Sequence, residues 1–185
     1  MTRAANPERV LASGRYLELA CTPPAPGREH GWEYVRRRNA SGVVAVVAVT
    51  DADELVLVEQ ARPALGTTVV ELPAGLAGDV AGAEGESFES AARRELLEET
   101  GYACAALEHL GRGPSSGGLT DELIDFYRAS GLRREGTGGG DASESIEVHR
   151  VRLPALREWL ARCEARGALV EPKLYAGLFL ARIDA

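Results

Sequence analysis

Apolar residues along this chain follow two different periods, and the changes between them mark its elements. Residues 42–49 are almost continuously apolar and β-branched, the pattern of a strand covered on both faces. The Asp51-Ala52-Asp53 turn leads into a second strand over 54–60, and 67–72 make a third, closed by a Pro73-Ala74-Gly75 turn. Upstream, 15–21 and 32–38 alternate as the two strands of a hairpin joined by the Pro-rich connector 22–27, and residues 1–12 are expected to fray. Downstream, 105–111, 122–129 and 145–153 read as strands, with loop 113–118 and a Gly-rich stretch over 134–143 between them. Pro154 starts a helix through Cys163 with Leu156, Trp159, Leu160 and Cys163 on one side. Pro172 starts a last helix expected to carry Leu174, Leu178 and Phe179 inward. There are no internal repeats. Strands, helix, strands, helices is the order of an α/β arrangement with a mixed sheet between helices.

The helix in the middle carries the chemistry. Ser87 can cap its start and Gly101 can end it, while Phe88, Ala92 and Leu96 recur every four residues as a buried stripe. Glu95 and Glu99 then fall one turn apart on the same side, with Glu98 adjoining. Like charges so spaced cost a few tenths of a kcal/mol per pair on an exposed helix. One reading is a solvated acidic face. The other is a site for a divalent ion, favoured by the neighbouring Ala91 and Ala92, and by a Pro-Ala-Gly turn that would aim backbone carbonyls at the helix. Hard oxygen donors in that number suit Mg²⁺ or Mn²⁺ and not zinc.

Composition narrows the classes. The chain has 185 residues, 45% of them hydrophobic, enough for a real core. A net charge of −7 argues against nucleic acid as a partner. Its three cysteines (Cys21, Cys104, Cys163) are odd in number and lack CxxC spacing, as expected of free thiols in a reducing compartment. Neither a run of 18 apolar residues nor a signal-peptide pattern occurs, so no membrane partner and a cytoplasmic location are expected.

Glu86, seven residues, then Arg94-Glu95-Leu96-Leu97-Glu98-Glu99-Thr100-Gly101-Tyr102 resembles the Nudix box, the signature of the Nudix hydrolases. The family's glycine six positions before the first glutamate would fall on Val80; Gly75 is its equivalent here, with about five extra residues around 78–82. The resemblance implies a Nudix α/β/α sandwich with a mixed β-sheet over 41–185. It also implies an N-terminal β-hairpin extension over 1–40, a candidate dimerisation element. The implied activity is Mg²⁺-dependent (Mn²⁺ as a substitute) cleavage of a nucleoside diphosphate linked to another moiety. By the same carry-over, Glu95, Glu99 and the Ala74 carbonyl bind metal. Glu98 is a ligand through water or an orienting acid, and Arg94 holds Glu86 or Glu98 in place.

The flanks resemble the ADP-ribose pyrophosphatase branch: Trp32-Glu33, Glu59-Gln60-Ala61-Arg62-Pro63 and Glu71-Leu72-Pro73-Ala74-Gly75-Leu76. In that branch the tryptophan stacks on adenine, often across a homodimer interface, and Trp32 matches it; packing in a hairpin or dimer core is the other reading. Arg37 and Arg62 match phosphate and ribose contacts, and Glu33, Leu76 and Ser116 match further substrate contacts. Arg36–Arg38 reads equally as a solvated strand edge. Glu144 matches the branch's late carboxylate, as another Mg²⁺ ligand or the general base, with Asp141 in reserve and Gly138–Gly140 as a flexible closing loop. His30, His109 and His149 are scattered and read as structural or exposed. Gly117 stands where the branch has proline, which keeps a UDP-sugar or GDP-mannose open as alternative substrate. A non-catalytic nucleotide sensor is a third reading, although such sensors commonly lose box glutamates that are present here.

Overall fold

The computed structural model describes residues 8–80, 82, 85–140 and 145–184. Strands β1 (Arg9–Ser13), β2 (Leu17–Cys21) and β3 (Glu33–Arg37) form an antiparallel sheet in that order. Residues 9–12 therefore form a strand instead of fraying. All five β1 residues are exposed, so no apolar pattern betrays the strand, and backbone pairing with β2 holds it.

The apolar run becomes β4 (Gly42–Ala48), followed by β5 (Glu54–Arg62), β6 (Thr67–Glu71) and β7 (Ala74–Ala77). Next come α1 (Phe88–Thr100), β8 (Tyr102–Pro114), β9 (Leu123–Arg134) and β10 (Ile146–Arg152). A 3-10 turn over Leu153–Ala155 leads to α2 (Leu156–Ala165), then β11 (Leu169–Val170) and α3 (Pro172–Leu180). The expected single sheet is two four-stranded sheets, β7-β4-β9-β8 and β10-β5-β6-β11. Each is mixed, through the parallel pairs β4–β9 and β6–β11, and between the sheets β4 and β5 share the bridge Val49–Leu55.

Alternation in β4 explains its unbroken apolarity. Val44, Val46 and Ala48 pack with Ala91, Ala92 and Leu96 of α1. Val47 packs on the opposite side with Leu156 and Leu160 of α2 and Leu174 and Leu178 of α3. Both faces are thus covered by helices, which makes the α/β/α sandwich. At Gly177 a Cβ would meet Leu72 Cδ1 at 2.6 Å and Val47 Cγ2 at 2.9 Å, so this glycine lets α3 lie against the strands. Phe179 is 82% exposed and does not point inward: Leu174, Gly177 and Leu178 make the buried face, and the next residue turns about 100° away from it.

Two further expectations change. Ala74 and Gly75 are not a turn but the start of β7, paired with Ala45 and Val44. Within the Gly-rich stretch, Gly138–Gly140 are tied down. Gly139 and Gly140 donate N–H to the carbonyls of Glu99 (2.8 Å) and Glu98 (3.1 Å), satisfying the C-terminal end of α1. Gly138, at φ 71°, passes so close to the helix that a Cβ would lie 2.5 Å from Glu99 O.

Candidate active site

Helix α1 starts where Ser87 Oγ accepts the Ser90 N–H (3.1 Å) and stops where Gly101 turns left-handed at φ 74°. Those ends fix the rotation of the box carboxylates. Glu99 is 2% exposed, and its Oε2 accepts the Ala74 N–H at 2.9 Å. Strand β7 thus meets the helix through the Ala74 amide and, at Leu76, through a carbonyl. Glu95 is tucked against Gly75, where a Cβ would lie 2.0 Å from its Cδ. Burial pushes the Glu95 carboxyl up to about 7, with Arg94 opposing the shift. Two of the three acids are therefore withdrawn from water, which excludes a simple solvated face. Glu98 remains half-exposed.

Arg94 holds this group together. Its Nε and Nη2 donate to Glu86 (3.1 and 2.9 Å), Nη1 donates to Glu95 (2.8 Å) and Glu98 (3.2 Å), and Nη2 also reaches Leu76 O at 2.9 Å. The guanidinium holds the Glu86 carboxyl below its ordinary range, and its own proton is bound more tightly in return. One planar fork thus fixes the box acids relative to β7.

These residues border a cavity of about 270 Å³. Glu95, Glu99, Asp79 and Glu122 give it acidic walls, and Arg37, Arg62 and Lys173 give it cations. Each cation rests on a carboxylate: Arg37 Nε on Glu122 (2.7 Å), Arg62 on both oxygens of buried Glu71, and Lys173 Nζ on Glu171 (2.6 Å). Beyond the Arg37–Glu122 pair lies a second cavity of about 410 Å³, which Phe88 and Arg112 also line.

The fold brings Ala74, Glu95, Glu99, Arg37, Arg62 and Leu76 to one cavity. Arg94 stands behind the carboxylates, and Glu98 is at their outer edge. Trp32, Glu33 and Ser116 do not line the cavity. The Trp32 ring is exposed and donates from Nε1 to Gly118 O at 3.2 Å. Glu33 is the exposed first residue of β3, and the Ser116 carbonyl closes a turn by accepting the Leu119 and Thr120 amides. Glu144 and Asp141 lie outside the described residues. Sequence reasoning missed Lys173, although it is the single lysine among 21 basic residues. It also gave no role to Glu122 or Asp79, which only the tertiary fold brings to the cavity.

The donor set fits a divalent ion. Hard carboxylate oxygens of Glu95 and Glu99 face one cavity beside the β7 backbone, and Gly75 leaves room that a side chain would take from Glu95. A second cluster with ligand-like spacing is Glu59, Glu147 and His149. There the Arg166 guanidinium already grips both oxygens of buried Glu59 and holds its carboxyl below the ordinary range, and His149 packs on Trp159 at 4.9 Å. That arrangement is an ion pair, with part-exposed His149 3.2 Å from Glu59 Oε2.

Comparison with known proteins bears on the family and the fold. Residues 40–169 match the family described as NUDIX domain. The chain is 38% identical over 120 residues to a protein from Bacillus methanolicus named methanol dehydrogenase activator (64% of this chain, 62% of that one). It is 39% identical over 113 residues to a Bacillus subtilis (strain 168) protein named ADP-ribose pyrophosphatase (60% and 58%). A Mycobacterium tuberculosis (strain ATCC 25618 / H37Rv) protein of the same name is 34% identical over 142 residues (74% and 63%). These matches span about six-tenths of the relatives' own lengths. The solved structure of an ADP compounds hydrolase superposes with a TM-score of 0.67 at 24% identity, over 96% of this chain and 90% of the other. That likeness concerns the fold.

Proposed function

This chain belongs to the NUDIX domain family, and from that premise we propose that it is a Mg²⁺-dependent pyrophosphatase of nucleoside diphosphate sugars, cleaving ADP-ribose to AMP and ribose 5-phosphate. The observation that carries this reading is the single cavity in which buried Glu95 and Glu99 face Arg37, Arg62 and Lys173. A diphosphate needs both kinds of partner: acids to hold a counter-cation, and cations for the remaining phosphate oxygens. Glu95, Glu99 and the Ala74 carbonyl would hold Mg²⁺, which when bound neutralises phosphate charge and makes a water nucleophilic near neutral pH.

The chain's own groups do the rest. Arg94 keeps Glu95 and Glu98 oriented, and Arg37 and Arg62, held on their carboxylates, offer their remaining N–H donors to phosphate oxygens. Glu98, half-exposed at the edge, would be a ligand through water or would orient the attacking water. Glu144 is assigned the role of a further metal ligand or the general base on its place in the sequence.

Names of the relatives support ADP-ribose as substrate. Residues 1–40 are assigned to an extension that pairs two copies, with the exposed apolar residues Val10, Leu11, Leu17 and Trp32 available for contact, and 41–185 to the catalytic domain. In that dimer Trp32 stacks on adenine, with Glu33 and Ser116 completing the substrate contacts. Among the described residues no helix is long and apolar enough to cross a membrane. The second reading, a UDP-sugar or GDP-mannose substrate, is favoured by Gly117 in the 116–118 loop. Assaying a nucleotide-sugar panel with Mg²⁺ separates the two. ADP-ribose as the best substrate supports the proposal, a better UDP- or GDP-sugar replaces it, and no turnover of any diphosphate ends the enzyme reading.

A further inference from the structure

The chain holds 21 basic residues, of which 20 are arginine, and its one lysine faces the candidate active site. Lys173 is the second residue of α3, directly after Glu171 at the helix N-cap and Pro172 at the first helical position. Burial of Leu174, Gly177 and Leu178 fixes how this helix sits, and that setting points Lys173 into the cavity of Glu95 and Glu99. The lysine side chain is only 22% exposed, and Glu171 Oε1 lies 2.6 Å from its ammonium. The other oxygen of Glu171 is buried with no hydrogen-bond partner. This pair is therefore poorly satisfied on the carboxylate side, and it uses one of three ammonium donors.

The other cavity cations differ. Arg62 spends its fork on both oxygens of Glu71, and Arg37 is held through Nε by Glu122. A lysine carries a compact charge on a four-carbon stem that can swing between partners, where a paired guanidinium is fixed in its plane. Lys173 further borders a groove of about 430 Å³ lined by Pro114, Ser115 and Phe126. A ligand with its diphosphate against Glu95 and Glu99 and its other half in that groove passes over this one ammonium.

Building on the diphosphate reading above, we propose that Lys173 is a substrate-contacting residue: it leaves Glu171 to bind a phosphate oxygen of the bound diphosphate, and Glu171 is its resting partner. A single lysine makes the test direct. The full chain is acylated with an amine-selective reagent in Mg²⁺ alone, and with Mg²⁺ plus inorganic pyrophosphate, AMP or ADP-ribose. Peptide mass spectrometry reads Lys173, with the α-amino group as internal reference. The expected result is at least about fivefold slower labelling of Lys173 with pyrophosphate or ADP-ribose and an unchanged α-amino rate. Equal labelling in every condition overturns the proposal.

Protection by pyrophosphate without hydrolysis of ADP-ribose keeps Lys173 as a diphosphate contact and removes the substrate assignment. Hydrolysis of ADP-ribose without protection does the reverse. Kinetics add a second reading: Lys173→Met raises KM about tenfold or more with little change in Tm, and Glu171→Gln does not raise KM. A purely structural pair would instead lower Tm alike in both variants and leave KM alone, which also overturns the proposal.

Discussion

Gly75 in β7 lies directly against the Glu95 carboxylate of α1, so close that a Cβ there would sit 2.0 Å from Glu95 Cδ and 2.2 Å from Oε1. No positive φ calls for glycine here, whereas space at the acid does. Gly75→Ala is therefore expected to push Glu95 off its position and to cut Mg²⁺-dependent turnover about 10–100-fold, the usual cost of disturbing a metal ligand's support. Secondary structure by circular dichroism should be kept. A Mg²⁺ titration of the rate checks it, and an unchanged curve would mean Glu95 is not a ligand.

Arg94 bridges Glu86, Glu95, Glu98 and the Leu76 carbonyl. Arg94→Lys keeps the charge and loses the fork, and should cost roughly 10–100-fold in activity, as support-shell changes do. Glu86→Gln should give a loss of the same kind. Because the two side chains act as one unit, the double variant should fall well short of the product of the single losses.

The buried Glu95 carboxyl predicts an inverse pH dependence of stability. Its folded-state value, about 7, lies above the ordinary 4.5, so the folded protein binds this proton more tightly than the unfolded chain does. In the presence of a chelator its contribution therefore lowers stability as pH rises from 4.5 to about 7 and keeps it low above that. Glu95→Gln removes this burden. At pH 8 it should raise the chelator-treated Tm by several degrees, each kcal/mol being worth roughly 2–4 °C in a chain of this size, and abolish the Mg²⁺-induced rise. Thermal scans of both proteins at pH 5 and 8 measure it.

Trp32 presents an exposed indole anchored by its N–H to Gly118 O. If it stacks on adenine, Trp32→Ala should lose about 1–3 kcal/mol on adenine substrates, seen as a raised KM for ADP-ribose. Pyrophosphate binding should be spared. Equal losses on adenine and non-adenine substrates would assign the ring to packing.

Much of this site is legible in the sequence because it sits on one helix with local punctuation. Ser87 and Gly101 fix its ends, the Phe88-Ala92-Leu96 stripe fixes its buried side, and Glu95 and Glu99 follow from geometry. The β4 run is equally plain, because two-sided burial leaves a continuous apolar signature. What escaped depends on backbone pairing or on chain crossings. The β1 strand is exposed throughout and shows no pattern. Tethering of Gly139 and Gly140 to the end of α1 uses backbone groups that every residue has. The apolarity of Phe179 suggests an inward side chain, although position 174 plus five falls off the buried face. Lys173 reaches the site only because α3 docks against β4, which no local motif announces.

In the proposed reaction, Glu95 and Glu99 of α1 hold the ion that activates cleavage of a diphosphate. The most direct test is the Mg²⁺-dependent hydrolysis rate of Glu99→Gln on the best substrate, beside wild type and with folding checked by circular dichroism. The account predicts an intact fold and a fall of at least about 10²-fold, the scale of removing one essential electrostatic group. Near-full activity in that variant would contradict it.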